Sequence, residues 1–313
     1  MFRRVDDRAA VSKHVASSSS GCRRPAPAAR WGIALAPLLA VLWQALASAG
    51  DPAADPAREP AGGLTRQAAD EPIAPQETIE LFNGKDLSGW YSWLKDHGRD
   101  DPDGVFSVAD GAIHVSGQGA GYLATRRAYR DYHLSLEYRW GKRTDGSGYV
   151  RNAGVLLHGT GPDGAAGGVW MASIECQLAQ GCEGDLIVIR GKDAQGKIIP
   201  VTITCETRLA EDGKTRWQPG GKRVEYSGKQ FWWSKHQPFF EEKLDTRGKD
   251  DVASPLGQWT RVECICRGSR ITIKINGVTV NEAIECWPTG GRILLQNEGS
   301  EIDYRKIVLR PVE

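Results

Sequence analysis

The chain has 313 residues, and all-β sandwiches of more than about 200 residues commonly form a single unit, so we expect one domain. Its 40 Lys and Arg residues balance 39 Asp and Glu residues, for a formal net charge of +1. This balance argues against nucleic acid or an anionic membrane as the partner. The 37 Gly and 11 Trp residues indicate many tight turns and flat apolar rings of the kind that stack on sugars.

The N-terminal segment has the pattern of an export signal. Three arginines precede an apolar run at 31–46, and the small residues 47–49 complete a signal-peptidase site. We therefore predict that residues 1–49 are a signal peptide and that the mature chain is secreted or periplasmic. The alternative is a membrane anchor, but the run is short for a bilayer span and contains Pro37.

Residues 50–76 contain mainly Ala, Pro, Asp and Glu, with too little apolar surface to offset ordering entropy, so a disordered linker is predicted. The folded domain is expected over 77–313.

Six cysteines follow the predicted leader, and buried thiols or one or two disulfides are both compatible with an exported chain. A zinc site is disfavoured because spaced CxxC or His partners are missing.

The sequence of the domain contains short segments in which apolar and polar residues alternate, separated by turns, and no long amphipathic helix. This pattern predicts an all-β sandwich of two antiparallel sheets. Asn276-Gly277 fits a type I′ hairpin turn. Residues 206–255 interrupt the pattern as a long aromatic loop, interpreted either as a sugar-covering loop using Trp217, Trp232 and Trp233 or as a small satellite core. The predicted strands are 111–115, 132–140, 154–158, 174–178, 185–190, 198–204, 259–266, 270–275, 278–283, 292–296 and 302–309.

Residues 81–90, LFNGKDLSGW, resemble the opening signature of the 3-keto-disaccharide hydrolase family. Further similar segments follow in order at 152–158, 174–178, 258–263 and 291–305, so the resemblance covers essentially the whole predicted domain. It implies a concanavalin A-like jelly-roll sandwich and hydrolysis of 3-keto-glycosides. Many members carry Leu-Gln-x-His-Gly where this chain has LQNEG at 295–299, so a role of that His would pass to Glu298.

Strand parity places Glu175 and Gln177 on the face opposite Ile174, and a face with carboxylates, amides and an imidazole suits a sugar. An ordinary solvated sheet face is the alternative. The resemblance favours a site, for which the candidate catalytic residues are Glu175, Glu298 and His158. The candidate substrate-binding residues are Asn152, Gln177, Gln296, Arg305, Trp170, Trp232 and Trp233.

A ketone at sugar C3 acidifies the C2 hydrogen, so a base can remove it and the group on C1 can leave, after which water adds. We expect Glu175 to be the base, with Glu298 or His158 as the acid. Arg305 or a bound divalent metal would face the C3 oxyanion. Direct displacement at C1 by Glu175 and Glu298 is an alternative route that the sequence does not separate.

No cofactor is certain from the sequence, and the acidic run at 100–104 is better explained as a turn than as a calcium loop. The predicted partner is a small carbohydrate. Two rival classes are kept, because a sandwich fold does not settle function. One is a non-catalytic, lectin-like carbohydrate-binding module, and the other is a structural domain of a surface assembly.

Overall fold

The computed structural model describes residues 71–312, so the predicted signal peptide and most of the predicted linker lie outside the described residues. The described part contains eighteen strands and no α-helix. Accordingly, none of its segments is a helix long and apolar enough to cross a bilayer. The strands are β1 Ile79–Glu80, β2 Trp90–Leu94, β3 Phe106–Ala109, β4 Ala112–Val115, β5 Ala120–Thr125, β6 Tyr129–Arg130, β7 Tyr132–Trp140, β8 Gly154–Thr160, β9 Ala172–Gln177, β10 Leu186–Ile189, β11 Thr202–Leu209, β12 Thr215–Trp217, β13 Lys222–Glu225, β14 Thr260–Arg267, β15 Arg270–Ile275, β16 Val278–Trp287, β17 Gly290–Glu298 and β18 Ile302–Pro311.

The strands form two antiparallel sheets, which confirms the predicted all-β, jelly-roll sandwich. The larger sheet has eleven strands, with the order β12-β11-β16-β15-β14-β7-β18-β4-β3, while β1 pairs with β18 and β13 with β11. The smaller sheet has seven strands, with the order β10-β9-β8-β17-β5-β2, while β6 pairs with β17. The chain passes repeatedly from one sheet to the other, as in a jelly roll.

Alternation along the strands explains how the sheets pack. In β7, Leu134, Leu136 and Tyr138 are almost fully buried and point into the space between the sheets. Burial of apolar side chains from both sheets is the main favourable contribution to folding. The predicted hairpin turn is confirmed: Asn276 and Gly277 have φ of 47° and 82° and join β15 to β16.

The seven-stranded sheet has two different faces. One, with Val155, Ile174 and Leu295, belongs to the main core against the other sheet. The opposite face carries the alternate residues of the same strands, including Leu156 and Leu294 in a second apolar cluster. We call this opposite face the site face.

Some boundaries differ from those predicted. β2, β3 and β5 were missed, and the segment 206–255 is not one loop, because it contains the end of β11 and all of β12 and β13. The last residues of the predicted linker are also ordered. Ile73 forms a parallel bridge with Tyr129, donates its N–H to the Ala128 carbonyl and accepts from the Arg130 N–H.

Candidate functional site

Two carboxyl groups lie on the site face, one on each side of β8. Glu175 lies in β9 opposite Leu156 of β8, and Leu156 also lies opposite Leu294 of β17, the strand that ends at Glu298. Both glutamates alternate with core residues of their strands, which places their side chains away from the sandwich interior. The predicted parity of Glu175 therefore matches the structure.

Gly154 in β8 lies between β9 and β17, and its lack of a side chain leaves room for polar side chains from both neighbouring strands. A Cβ at this position would lie 2.5 Å from Glu175 Oε1 and 2.9 Å from Gln296 Oε1. Only glycine leaves both oxygens free to face the same space. Neither oxygen has a hydrogen-bond partner among the described residues, although Glu175 is 4% exposed and Gln296 2% exposed. Buried polar atoms without partners are rare and are a mark of ligand sites.

Asn152 holds the second carboxyl group. Its Nδ2 donates to Glu298 Oε2 at 2.7 Å, while its own N–H donates to Ser300 Oγ at 3.1 Å. Asn152 Oδ1 has no partner in the described part of the chain. Asn152, Gln296 and the two glutamates thus place both donors and acceptors on one face, as a polyhydroxylated ligand requires.

The two carboxyl groups differ in proton affinity. Burial, followed by the nearby charge of Glu298, raises the pKa of Glu175 well above its usual value. Burial raises the pKa of Glu298 to about 7, while the Asn152 amide hydrogen-bonds one of its oxygens. Neither carboxyl forms an ion pair with any Lys, Arg or His in residues 71–312. Burial therefore disfavours the charged form of both carboxyl groups, and their nearness favours a pair that shares one proton.

His158 does not join this site, contrary to the prediction. A β-bulge in β8 gives it a φ of +56° and breaks the alternation that would have aligned it with Asn152. Its ring packs edge-on against Tyr132 of the other sheet, with centroids 5.8 Å apart, and its Nδ1 donates to the Pro288 carbonyl at 2.8 Å. Burial lowers the pKa of His158 to about 4, so it is a neutral core residue.

Arg305 is also misplaced by the sequence prediction. It lies on β18 of the eleven-stranded sheet, next to the inward-facing Tyr304, and so points away from the core on the opposite side of the sandwich. Its Nε donates to Glu137 Oε2 at 2.7 Å, and its guanidinium lies 3.9 Å from the Trp259 ring centroid. It cannot face an oxyanion on the site face.

The aromatic residues divide into two groups. Trp232 and Trp233 are 7% and 2% exposed, so the predicted sugar-stacking role is wrong for both. Trp232 belongs to a small satellite core with Val150, and Trp233 belongs to the main core. Trp170 is half-buried and packs against the site-face cluster, in a position to reach a ligand.

Gln177 has its side-chain oxygen committed, since Oε1 accepts the N–H groups of Leu178 and Ala179, both at 2.9 Å. It supports the end of β9 and offers no free acceptor from that oxygen.

All six cysteines among residues 71–312 are free and buried, which decides between the predicted thiols and disulfides.

No group of three or more His, Cys, Asp or Glu side chains within 71–312 is arranged to hold a metal ion. The acidic run at 100–104 is a turn, as predicted, in which the Asp101 carboxylate accepts the N–H groups of Val105 and Phe106. A bound divalent ion as oxyanion partner stays a prediction.

The sequence interpretation missed a second part of the site face. Tyr91 and Trp93 of β2 and Tyr122 of β5 lie on the same face in the two strands beyond β17, so β2 is two strands from Glu298 and four from Glu175. Asp163 accepts hydrogen bonds from the hydroxyls of Tyr91 and Tyr122 at 2.9 and 2.7 Å. The signal was present in the alternation of residues 90–94, WYSWL. There Trp90 and Leu94 are buried while Tyr91 and Trp93 are only partly covered.

Two antiparallel sheets that carry a carboxyl pair, with Glu175 buried and Glu298 half-buried, and free polar oxygens on one face are the framework of a carbohydrate-active, glycosyl-hydrolase-like protein. The chain belongs to the family described as the 3-keto-alpha-glucoside-1,2-lyase-like domain, whose model matches residues 77–310. This match confirms the resemblance seen at residues 81–90.

Three solved structures illustrate the similarity of this chain to distant proteins. A candidate glycosyl hydrolase from Parabacteroides distasonis is 17% identical, with a TM-score of 0.46 over 76% of this chain and 94% of that chain. The carbohydrate-binding module CBM66 from Bacillus subtilis is 9% identical, with a TM-score of 0.40 over 72% and 98%. A β-glucanase from Bacillus licheniformis is 9% identical, with a TM-score of 0.37 over 76% and 99%. No curated protein matches the chain.

Proposed function

We propose that this protein cleaves the glycosidic bond of 3-keto-glucosides by elimination followed by hydration. The observation that carries the proposal is the unequal carboxyl pair: Glu175 is enclosed without any donor to Oε1, whereas Glu298 is hydrogen-bonded by Asn152. Elimination needs one group that gives a proton and one that takes it. The enclosed environment of Glu175 favours a protonated carboxyl group, and the hydrogen bond from Asn152 favours an ionised one at Glu298, so both functions lie on one face.

We therefore assign the two roles in the opposite order to that expected from the sequence. Glu175 is buried without a donor to Oε1, and burial raises its pKa, so its protonated form is favoured and suits the acid. Glu298, with a pKa of about 7, is partly ionised and suits the base. A base with a pKa near the working pH combines a useful ionised fraction with adequate basicity.

In the first half-reaction the Glu298 carboxylate accepts the C2 proton, which the neighbouring C3 ketone makes acidic. The C2–H electron pair forms a C1=C2 double bond as the C1–O bond breaks, and Glu175 gives its proton to the leaving oxygen. In the second half, Glu298, whose proton exchanges with solvent before hydration, gives a proton to C2. Water adds its hydroxyl to C1 and its other proton to Glu175, which restores the starting state.

The proposed elimination requires a substrate that is oxidised to a ketone at C3. A sugar without the C3 ketone has no acidified C2 hydrogen, so the pair could not start elimination on it. Incubating the protein with a 3-keto-disaccharide and its unoxidised counterpart should give turnover of the first alone. In heavy water, deuterium should appear at C2 of the released 3-keto sugar, and its absence would point to direct displacement at C1.

Substituting Glu298 and Glu175 in turn distinguishes the catalytic base from the catalytic acid. Glu298→Gln should lose roughly 10²- to 10⁴-fold in rate with any leaving group, because no base remains. In a single turnover, Glu175→Gln should lose comparably with a sugar leaving group but release nitrophenolate at nearly the parental rate, because nitrophenolate leaves without protonation. Glu80→Gln, at an exposed position on β1, is the matched control. Equal losses for Glu175→Gln with both leaving groups would refute its role as acid.

A carbohydrate-binding module without catalysis is the competing outcome. Retention of both disaccharides on the immobilised protein, with no product from either, would establish it in place of the proposed enzyme.

Export belongs to the proposal as well, since residues 1–49 have the charge and hydropathy pattern of a signal peptide. The mature chain should begin near Gly50. Mass spectrometry of the exported protein gives the first residue directly, and a chain that still starts at Met1 contradicts the proposal.

A further inference from the structure

The site face continues beyond the carboxyl pair into an apolar surface. Its floor is a buried cluster containing Tyr122, Leu156 and Leu294, and the half-buried rings of Trp93 and Trp170 pack against that cluster. Large apolar rings that keep part of their surface exposed beside polar groups are typical of sugar-binding surfaces.

The segment 161–170, which connects β8 to β9, is fixed over this surface. Asp163 accepts from the hydroxyls of Tyr91 and Tyr122, and its Oδ2 also pairs with the Arg99 guanidinium at 2.8 Å. At the other end of the segment, Trp93 Nε1 donates to the Gly168 carbonyl at 3.2 Å. Asp163 thus links β2, β5 and the segment through three side chains.

The apolar surface is continuous with the carboxyl pair. Trp93 lies opposite Tyr122, and Tyr122 lies opposite Gln296, so these three residues form one row across β2, β5 and β17. Gln296 Oε1, buried and without a partner among the described residues, lies over Gly154 beside Glu175. Adjacent strands are about 4.8 Å apart, so a row of three strands spans about 10 Å, enough for a second sugar ring.

We propose that Trp93 and Trp170 form a subsite for the leaving group, that its occupant is a pyranose ring, and that Asp163 positions it. This inference rests on the proposed function and adds the place on the site face where the leaving group binds. Rings supply the apolar platform, while the free oxygen of Gln296 accepts a sugar hydroxyl. Asp163 acts as a positioning residue, through the segment and the two tyrosines rather than on the substrate.

Two 3-keto-glucosides test the subsite, one with a glucosyl leaving group and one with methyl. Trp93→Ala and Trp170→Ala should each raise KM for the disaccharide by about 2- to 10-fold, the range of one aromatic contact, and leave KM for the methyl glycoside unchanged. Asp163→Asn should raise the disaccharide KM with little change in kcat. Trp287→Ala, at an exposed position on β16, is the matched control.

The outcomes separate the two proposals. If the parent turns over neither compound, the proposed function fails, and the subsite is judged by fluorescence titration with the unoxidised disaccharide. A titration that is unchanged in Trp93→Ala and Trp170→Ala then overturns the subsite. If both glycosides turn over and both tryptophan variants change their KM values equally, the subsite is also overturned. If the Trp93→Ala variant shows no cooperative thermal unfolding, the Trp170→Ala variant alone tests the subsite.

Discussion

Replacing Glu298 by Gln should stabilise the protein, and the gain should depend on pH. A carboxyl group whose pKa is higher in the folded state than in the unfolded state binds its proton more tightly when the protein is folded. The bound proton therefore stabilises the folded state only at pH values where it stays bound. Its contribution is therefore complete below the unfolded pKa and is lost as the pH rises towards the folded pKa. For Glu298 this window runs from 4.5 to about 7.

The size of the effect follows from that window. At about 1.4 kcal/mol per pH unit, the ionised Glu298 lowers the free energy of unfolding by about 3 kcal/mol at pH 8, and by less than about 1 kcal/mol at pH 5. Gln keeps an oxygen that can accept the Asn152 hydrogen bond, so the substitution removes charge with little change in shape. For a domain of this size, about 3 kcal/mol corresponds to roughly 6 to 12 °C in Tm.

Thermal unfolding of the parent and Glu298→Gln at pH 5 and pH 8 measures the difference directly. The exposed Glu80→Gln variant should give the same Tm as the parent at both pH values. A gain for Glu298→Gln that is equal at pH 5 and pH 8 would refute the raised pKa, and with it the choice of Glu298 as the base.

Three further predictions test the geometry. Gly154→Ala, which puts a methyl group 2.5 Å from Glu175 Oε1 and so displaces that carboxyl group, should lower kcat/KM at least about tenfold at a stability cost of about 1 to 3 kcal/mol. Unchanged kinetics in a folded variant would show that catalysis does not depend on the position of Glu175. Arg305→Gln should keep parental kinetics, because its guanidinium lies on the other sheet, and a large fall in kcat would mean that substrate reaches that side. A chain beginning at Glu77 should melt below one beginning at Glu71, because it lacks the Ile73 bridge, and equal Tm values would contradict that contribution.

Local patterning explains why part of the fold could be predicted. The strands 132–140 and 270–275 were predicted with the bounds that the structure shows, because strict alternation and an Asn-Gly turn determine them from neighbouring residues alone. Short strands such as β2 and β5 lie among Gly and Ser residues that also indicate turns. Their pairing with distant strands, rather than local propensity, makes them extended.

The site shows the same division between local and distant information. Glu175 was placed correctly because alternation within β9 fixes its face. Arg305 was misplaced because alternation does not say to which sheet a strand belongs, and β18 lies in the sheet opposite Glu175. His158 was misplaced by a bulge, which shifts parity by one residue and leaves no clear mark in the sequence.

The positions of β1 and β18 have a practical consequence. Ile79 lies opposite Leu309, so the first and last strands of the domain are neighbours in the eleven-stranded sheet, whereas Glu175 and Glu298 belong to the other sheet. Coupling the protein to a bead, a sensor chip or a fusion partner through either end of this domain should leave the carboxyl pair unobstructed. The same adjacency suits a circular permutant, in which a short linker joins the two ends and new termini open at the β14–β15 turn.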